Sequence, residues 1–160
     1  MKKLFFTFNL CLLIATFFFV SCGKRCLDPN ANNSSKKGDC VYPADEFKGT
    51  YSMTCNCAPT TGAGTAISKS FEVEVLKIDN DNIAIKNLQG CGGSVNTTIP
   101  WQTYTAHFSP YTTVCDGVGY NIDGNISIVP STGDLSFSYQ MRPADLTLTW
   151  YNCTATGTRK

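Results

Sequence analysis

From about Cys40 onward the chain alternates apolar and polar residues with a period of two, and no stretch carries a helical period. Phe47, Gly49, Tyr51 and Met53 alternate with Lys48, Thr50, Ser52 and Thr54. Ile67, Phe71, Val73 and Val75 alternate with Ser68, Ser70, Glu72 and Glu74. Adjacent Val75 and Leu76, followed by Ile78, break the period once, which predicts a β-bulge. Asp79-Asn80-Asp81-Asn82 predicts a turn, and Ile83 and Ile85 begin the return strand. Val95, Thr97 and Ile99 form a short strand stopped by Pro100, and Tyr104 to Phe108 forms another. Tyr120, Ile122, Ile126 and Ile128 share one parity with Gly124 among them, and Leu135, Phe137, Tyr139 and Met141 share another. Leu146, Leu148 and Trp150 close the set.

These are eight strands joined by short turns. One buried and one wet face per strand is the antiparallel pattern. Short connections favour pairing in sequence order. Eight such strands hide their edges best by closing on themselves. The expected fold is all-β, an eight-stranded antiparallel up-and-down barrel over residues 40–160, with a two-sheet β-sandwich as the alternative.

Upstream the pattern changes. Lys2 and Lys3 precede an apolar run from Leu4 to Val20, the layout of a signal peptide. The run is short for a membrane span, and Ser21-Cys22-Gly23 follows it at once. Phe19-Val20-Ser21-Cys22 resembles the lipobox of bacterial lipoproteins. That resemblance implies removal of residues 1–21 and acylation (palmitate among the chains) of Cys22. An ordinary cleavage near Ser21, with Cys22 in a disulfide, is the other reading. Loss of Lys2 and Lys3 leaves 11 basic against 12 acidic side chains. Near-neutral charge supplies no clustered Lys/Arg footprint, so nucleic acid is not an expected partner. Residues 22–39 are polar, rich in Asn and Ser, and read as a lipidated flexible tether. As a coil they span roughly 20–25 Å.

The order is signal, Ser-Cys, polar spacer, then Phe47-Lys48-Gly49-Thr50-Tyr51. Gly124-Asn125-Ile126-Ser127-Ile128, a Leu-X-Phe-X-Tyr strand and a terminal Cys153-Thr154-Ala155-Thr156 follow. This arrangement, over about residues 19–160, resembles small lipoproteins of Bacteroidota with a lipocalin-like (calycin-like) β-barrel. The resemblance implies an eight-stranded barrel on the outer membrane and no established activity. Tyr51 stands where true lipocalins carry the tryptophan of Gly-X-Trp. Basic Lys24 and Arg25 beside the anchor lean toward a periplasm-facing protein.

Nine cysteines are dense for 160 residues. Outside the cytoplasm they default to disulfides. Setting aside Cys11 and Cys22 leaves Cys26, Cys40, Cys55, Cys57, Cys91, Cys115 and Cys153, which cannot all pair. Position suggests Cys26 with Cys40 and Cys91 with Cys115. Closure of first strand on last brings Cys153 to Cys55 or Cys57, leaving the other free. The competing idea is a soft-metal or redox cluster of Cys55, Cys57 and Cys153. Structural disulfides are preferred, and no metal or cofactor is expected.

One His in the chain makes a His-rich site or a triad hard to build. His107 reads as a surface residue, and Glu72 and Glu74 as the wet face of their strand. Trp101, Tyr104, Phe108 and Tyr111 form an aromatic run that fits a barrel mouth for an apolar or glycan ligand, or core packing. No phosphate loop, nucleophile elbow or His-Glu-X-X-His occurs. The expected protein is a non-enzymatic, lipid-anchored envelope protein binding a small apolar or glycan ligand. The alternative is an inhibitor or partner-binding module acting through loops Cys91–Ser94 and Ser109–Gly119.

Overall fold

The alternation becomes eight strands: β1 (Gly49–Pro59), β2 (Ile67–Lys77), β3 (Asn82–Lys86), β4 (Ser94–Thr98), β5 (Thr105–Cys115), β6 (Val118–Val129), β7 (Asp134–Pro143) and β8 (Tyr151–Arg159). The computed structural model describes residues 23–60, 64–101, 103–145 and 147–160. The candidate anchor Cys22 and everything before it lie outside the described residues. All ladders are antiparallel, in the order β4-β3-β2-β1-β8-β7-β6-β5. The first strand therefore pairs with the last, from Tyr51↔Arg159 to Pro59↔Tyr151. The result is a nearly closed up-and-down barrel, and the two-sheet alternative is not what the chain forms. Across the seam between β4 and β5, Thr97 Oγ1 donates to the His107 carbonyl at 2.5 Å. A disulfide from Cys91 to Cys115 spans the same seam near its far end.

Inward positions carry the bulk. Tyr51, Met53, Val73, Ile85, Phe108, Ile122, Ile126, Phe137 and Tyr139 are buried along the inside. Phe108 meets Phe137 edge-on with ring centroids 6.3 Å apart. Gly124 pairs with both Phe108 and Tyr139, and a Cβ there would lie 2.3 Å from the Ser138 carbonyl oxygen. Only a residue without a side chain lets β6 lie that close to β7.

The end holding the strand-to-strand turn Ile78–Asp81 is plugged by a short helix, α1 (Pro43–Phe47). Pro43 fits the first turn, and the Tyr42 N–H donates to Asp45 Oδ2 at 2.9 Å. Phe47 and Ala44 are fully buried. Tyr51 Oη donates to the Phe47 carbonyl at 2.8 Å, and Arg159 Nη2 donates to Tyr51 Oη at 2.9 Å and to the Glu46 carbonyl. The Arg159 guanidinium also stands 5.5 Å from the Tyr51 ring centre. First strand, last strand and α1 are thus clasped at one point.

Three expectations need correction. Phe47 belongs to α1 rather than to a strand, because Pro43 and the Asp45 cap start a helical turn just before it. Leu76 marks no bulge: the ladder runs evenly from Glu74↔Lys86 to Lys77↔Ile83, and Leu76 is an outward position opposite Ala84. The register break lies instead in β5, between Phe108 and Tyr111, where Pro110 has no N–H to offer. Residues 144–145 and 147–150 form no strand and are organised by Asp145 accepting from the N–H and hydroxyl of Thr147 at 2.9 and 2.7 Å; Leu146, where the sequence pattern starts the eighth strand, lies outside the described residues. The eighth strand begins only at Tyr151.

The segment up to Cys40 forms a separate unit. It has more structure than its composition implies. Cys26 and Cys40 are bonded, Arg25 bridges Lys37, and the Cys26 N–H donates to the Lys36 carbonyl at 3.1 Å. A covalently closed loop of this length loses conformational entropy in the unfolded chain, so turns too weak to persist alone are held.

Gly124→Ala tests the close approach of β6 and β7. It is expected to cost about 3 kcal/mol, the upper part of the overpacking range, because backbone must move. Ser127→Ala, on the outer face of the same strand, is expected to stay within about 0.5 kcal/mol. Urea midpoints at constant m measure both.

Candidate functional site

Two places combine polar chemistry with concave geometry. The first is inside the barrel, at the end opposite α1. There the segment Asn87–Gly93 crosses the opening, with Leu88–Gly90 in a 3-10 turn. Asn87 has φ 60° and Gln89 has φ 64°, a left-handed backbone that non-glycine residues seldom adopt. The Asn87 side chain holds the segment: Nδ2 donates to the Glu72 carbonyl at 2.8 Å, and Oδ1 accepts from the Gly92 N–H at 3.2 Å. The Cys91–Cys115 bond ties it to β5.

The strained turn drives Gln89 inward until only 4% of it is exposed. Its amide lies among sulfurs. Nε2 donates to Cys57 Sγ at 3.1 Å, to Met141 Sδ at 3.4 Å and to Cys153 Sγ at 3.8 Å. Oε1 accepts from the Cys55 thiol at 3.2 Å. Cys57 and Cys153 face each other across β1 and β8 and are bonded. Cys55, one inward position away, is free and fully buried. Beside it the Tyr139 hydroxyl, on a residue 3% exposed, has no hydrogen-bond partner. Burial above all, with the Cys55 thiol next to it, holds that hydroxyl far above the ordinary tyrosine range. Tyr111 is pushed up to about 12 by burial.

The second place is the outer wall. The inward positions in the middle of β8 are Cys153, Ala155 and Gly157, between the larger Tyr151, which packs against the core, and Arg159. A Cβ on Gly157 would lie 2.2 Å from the Ser52 carbonyl oxygen, so β8 sits tight against β1. Three grooves of about 550, 370 and 390 Å³ lie beside the outward side of β8, whose exposed residues are Asn152, Thr154, Thr156 and Thr158. Ser52, Thr54 and Asn56 of β1 flank it on one side, and Ser136, Ser138 and Gln140 of β7 on the other. None of these ten outward positions is charged. Charge borders them: Asp134 and Arg142 are the outward end positions of β7, Asp134 and Asp123 line two of the grooves, and Arg142 Nη2 donates to Gln140 Oε1 at 2.6 Å, while on the outside of β2 Glu74 pairs with Lys86 at 3.6 Å and Glu72 with Lys160. At the far rim Asp123 meets Arg142 at 3.6 Å, and His107 Nδ1 lies 3.3 Å from Asn125 Oδ1.

The three expected pairing regions carry disulfides, and Cys57, not Cys55, takes Cys153. The aromatic run does not form one mouth. Trp101 and Tyr104 are exposed on the β4–β5 connection, Phe108 is in the core, and Tyr111 lies seven residues beyond Tyr104. At about 3.3 Å per residue the strand carries Tyr104 and Tyr111 some 23 Å apart. Gln89 and Met141 had no signal as site residues: Gln89 enters through an unusual backbone turn, and Met141 reads as one more core residue of an alternating strand.

Among the described residues no group of three or more His, Cys, Asp or Glu is placed to hold a metal. No helix among them is long and apolar enough to cross a membrane. No protein-family model matches the chain, and no curated protein sequence matches it.

The raised Tyr111 and Tyr139 hydroxyls give stability a defined alkaline limb. Both are neutral when folded, so their contribution is intact below the ordinary tyrosine value near 10 and is lost as pH rises toward 12. Urea midpoints should be flat from pH 8 to 9.5 and fall between 10 and 12. Tyr111→Phe should make that fall shallower.

Proposed function

We propose that this is a lipid-anchored protein of the bacterial envelope, non-catalytic, that binds a neutral glycan on the outer wall of its barrel. One observation carries the reading: ten hydroxyl and amide side chains lie side by side along β8 and its neighbours, bordered by Asp134 at one end of β7 and by Arg142, which bonds Gln140, at the other. A protein surface ordinarily places charged residues at about 25–35% of positions. Hydroxyls and amides each donate and accept, which suits a ligand that does the same at every sugar hydroxyl. Four outward residues of β8, Asn152 to Thr158, span about 20 Å, enough for several sugar rings. The inward volume is taken up by side chains, which favours the wall over an interior cargo of the lipocalin kind.

The anchor rests on the sequence: an apolar run ending in Ser21-Cys22, with a disulfide-closed segment before the barrel. The sequence supports an outer-membrane address facing the periplasm, by Lys24 and Arg25.

A second reading has support in one feature. The segments around Cys91 and Cys115 are locked together by a disulfide, and Val114 next to them is 61% exposed. A rigid loop pair with an exposed apolar residue suits a protein partner.

Titration of the isotope-labelled protein with neutral oligosaccharides, followed by amide chemical shifts, separates the readings. Shifts clustered at Asn152–Thr158, with affinity reduced at least tenfold in Thr154→Ala combined with Asn152→Ala, are expected. Shifts confined to residues 87–93 and 114–117, or none with any neutral oligosaccharide, count against glycan binding on the wall.

A further inference from the structure

We propose that the sulfur cluster beneath Gln89 is a latent site for a soft monovalent metal ion, Cu(I), that opens when the Cys57–Cys153 bond is reduced. Three sulfur atoms, from Cys57, Met141 and Cys153, lie 3.1, 3.4 and 3.8 Å from one atom, Gln89 Nε2. A fourth, from Cys55, lies 3.2 Å from the other end of the same amide. The amide N–H group carries partial positive charge, and the ring of sulfurs holds it where a cation would sit. A second observation comes from β7. The Tyr139 hydroxyl is buried beside Cys55 and Gln89 and makes no well-formed hydrogen bond to either, so the cluster has a polar group left over. Unpartnered buried groups of this kind are rare.

The ligand chemistry selects the ion. Thiolates with a thioether favour Cu(I); a hard cation would need oxygen ligands, and no carboxylate is among the groups described around the amide. In the disulfide form two of the four sulfurs are engaged with each other. A dithiol reductant gives two electrons and two protons to the Cys57–Cys153 bond and becomes a disulfide itself. The two freed thiols and Cys55 then ligate as thiolates, releasing protons to solvent, with Met141 as the neutral fourth ligand. Gln89 must withdraw. Its turn belongs to no ladder, and reduction that opens Cys57–Cys153 also opens the Cys91–Cys115 bond that fixes the turn. The sulfurs then close in by roughly 1 Å toward metal–thiolate distances of about 2.3 Å.

The test uses the full chain. It is reduced with a phosphine, which takes oxygen from water as it cleaves the disulfide, then desalted anaerobically. Cu(I) is titrated against a chromophoric Cu(I) chelator. Expected are one tight equivalent in the reduced chain, none in the oxidised chain, and ultraviolet sulfur-to-copper absorption. Cys55→Ser and Met141→Leu should each weaken binding at least tenfold. The double variants Cys91→Ser with Cys115→Ser and Cys26→Ser with Cys40→Ser should keep it. Near-ultraviolet circular dichroism checks folding, and Met141→Leu, which preserves volume, decides the matter if Cys55→Ser does not fold. Binding that survives Met141→Leu, that is lost with the Cys91/Cys115 pair, or that never exceeds the chelator overturns the proposal.

Discussion

The structure depends on the pairing of β1 with β8. Every other ladder joins strands adjacent in sequence, but this one brings together residues about a hundred positions apart. Long-range pairing of this kind is entropically costly until the whole sheet is in place. The chain answers with a bond at each end of the ladder. At one end Cys57 and Cys153 stand directly opposite and are bonded, closing a loop of 96 residues, which contributes about 4–5 kcal/mol on the chain-entropy estimate. At the other, Arg159 reaches over Tyr51 to the carbonyl of Glu46, so the last strand also holds α1. Without the β1–β8 ladder neither the plug nor the covered sulfur end has a frame.

The seam between β4 and β5 is the complementary weak point. Short edge strands limit exposed backbone pairing, and β4 has five residues. What holds it is local: the Thr97 hydroxyl on the His107 carbonyl and the Cys91–Cys115 bond. Because Cys91 belongs to the segment that carries Gln89, the same bond that staples the seam sets the position of the inward amide. Strained φ values at Asn87 and Gln89 are tolerated there because the flanking hydrogen bonds and the disulfide over-determine the turn.

The barrel was legible where side chains were large. β1, β2, β6 and β7 announce themselves because Tyr51, Val73, Ile122 or Phe137 recur at every second residue. The sequence pattern misplaces the eighth strand by several residues for the same physical reason: its central inward positions, Cys153, Ala155 and Gly157, are too small to show as a hydrophobic stripe. Leu146, Leu148 and Trp150 show the stripe in the sequence, but Leu148 and Trp150 precede β8, since Asp145 turns the backbone at Thr147. Pairing of Cys153 with the first strand followed from topology. The choice of Cys57 over Cys55 did not, because it turns on a register shift of two residues that composition does not encode. The cluster around Gln89 was beyond reach, since it is built by a backbone conformation rather than by a residue pattern. The uncharged wall was in plain view as a run of Ser, Thr and Asn, yet only strand order shows that these residues lie side by side.

The two candidate sites share one strand and one register. With Cys153 opposite Cys57, period-two geometry fixes Thr154 opposite Asn56 on the outside, and Thr156 opposite Thr54. A slip of one residue would bury the hydroxyls and expose the sulfurs. The disulfide therefore acts on both faces at once: inside it holds two sulfurs of the cluster beneath Gln89, and outside it fixes the spacing of the hydroxyl rows. The small inward residues of β8 bind the two faces further. They leave inward room that Gln89 and Met141 fill from the neighbouring elements. The hydroxyl rows outside and the sulfur-lined space inside thus both depend on the small residues in the middle of the last strand.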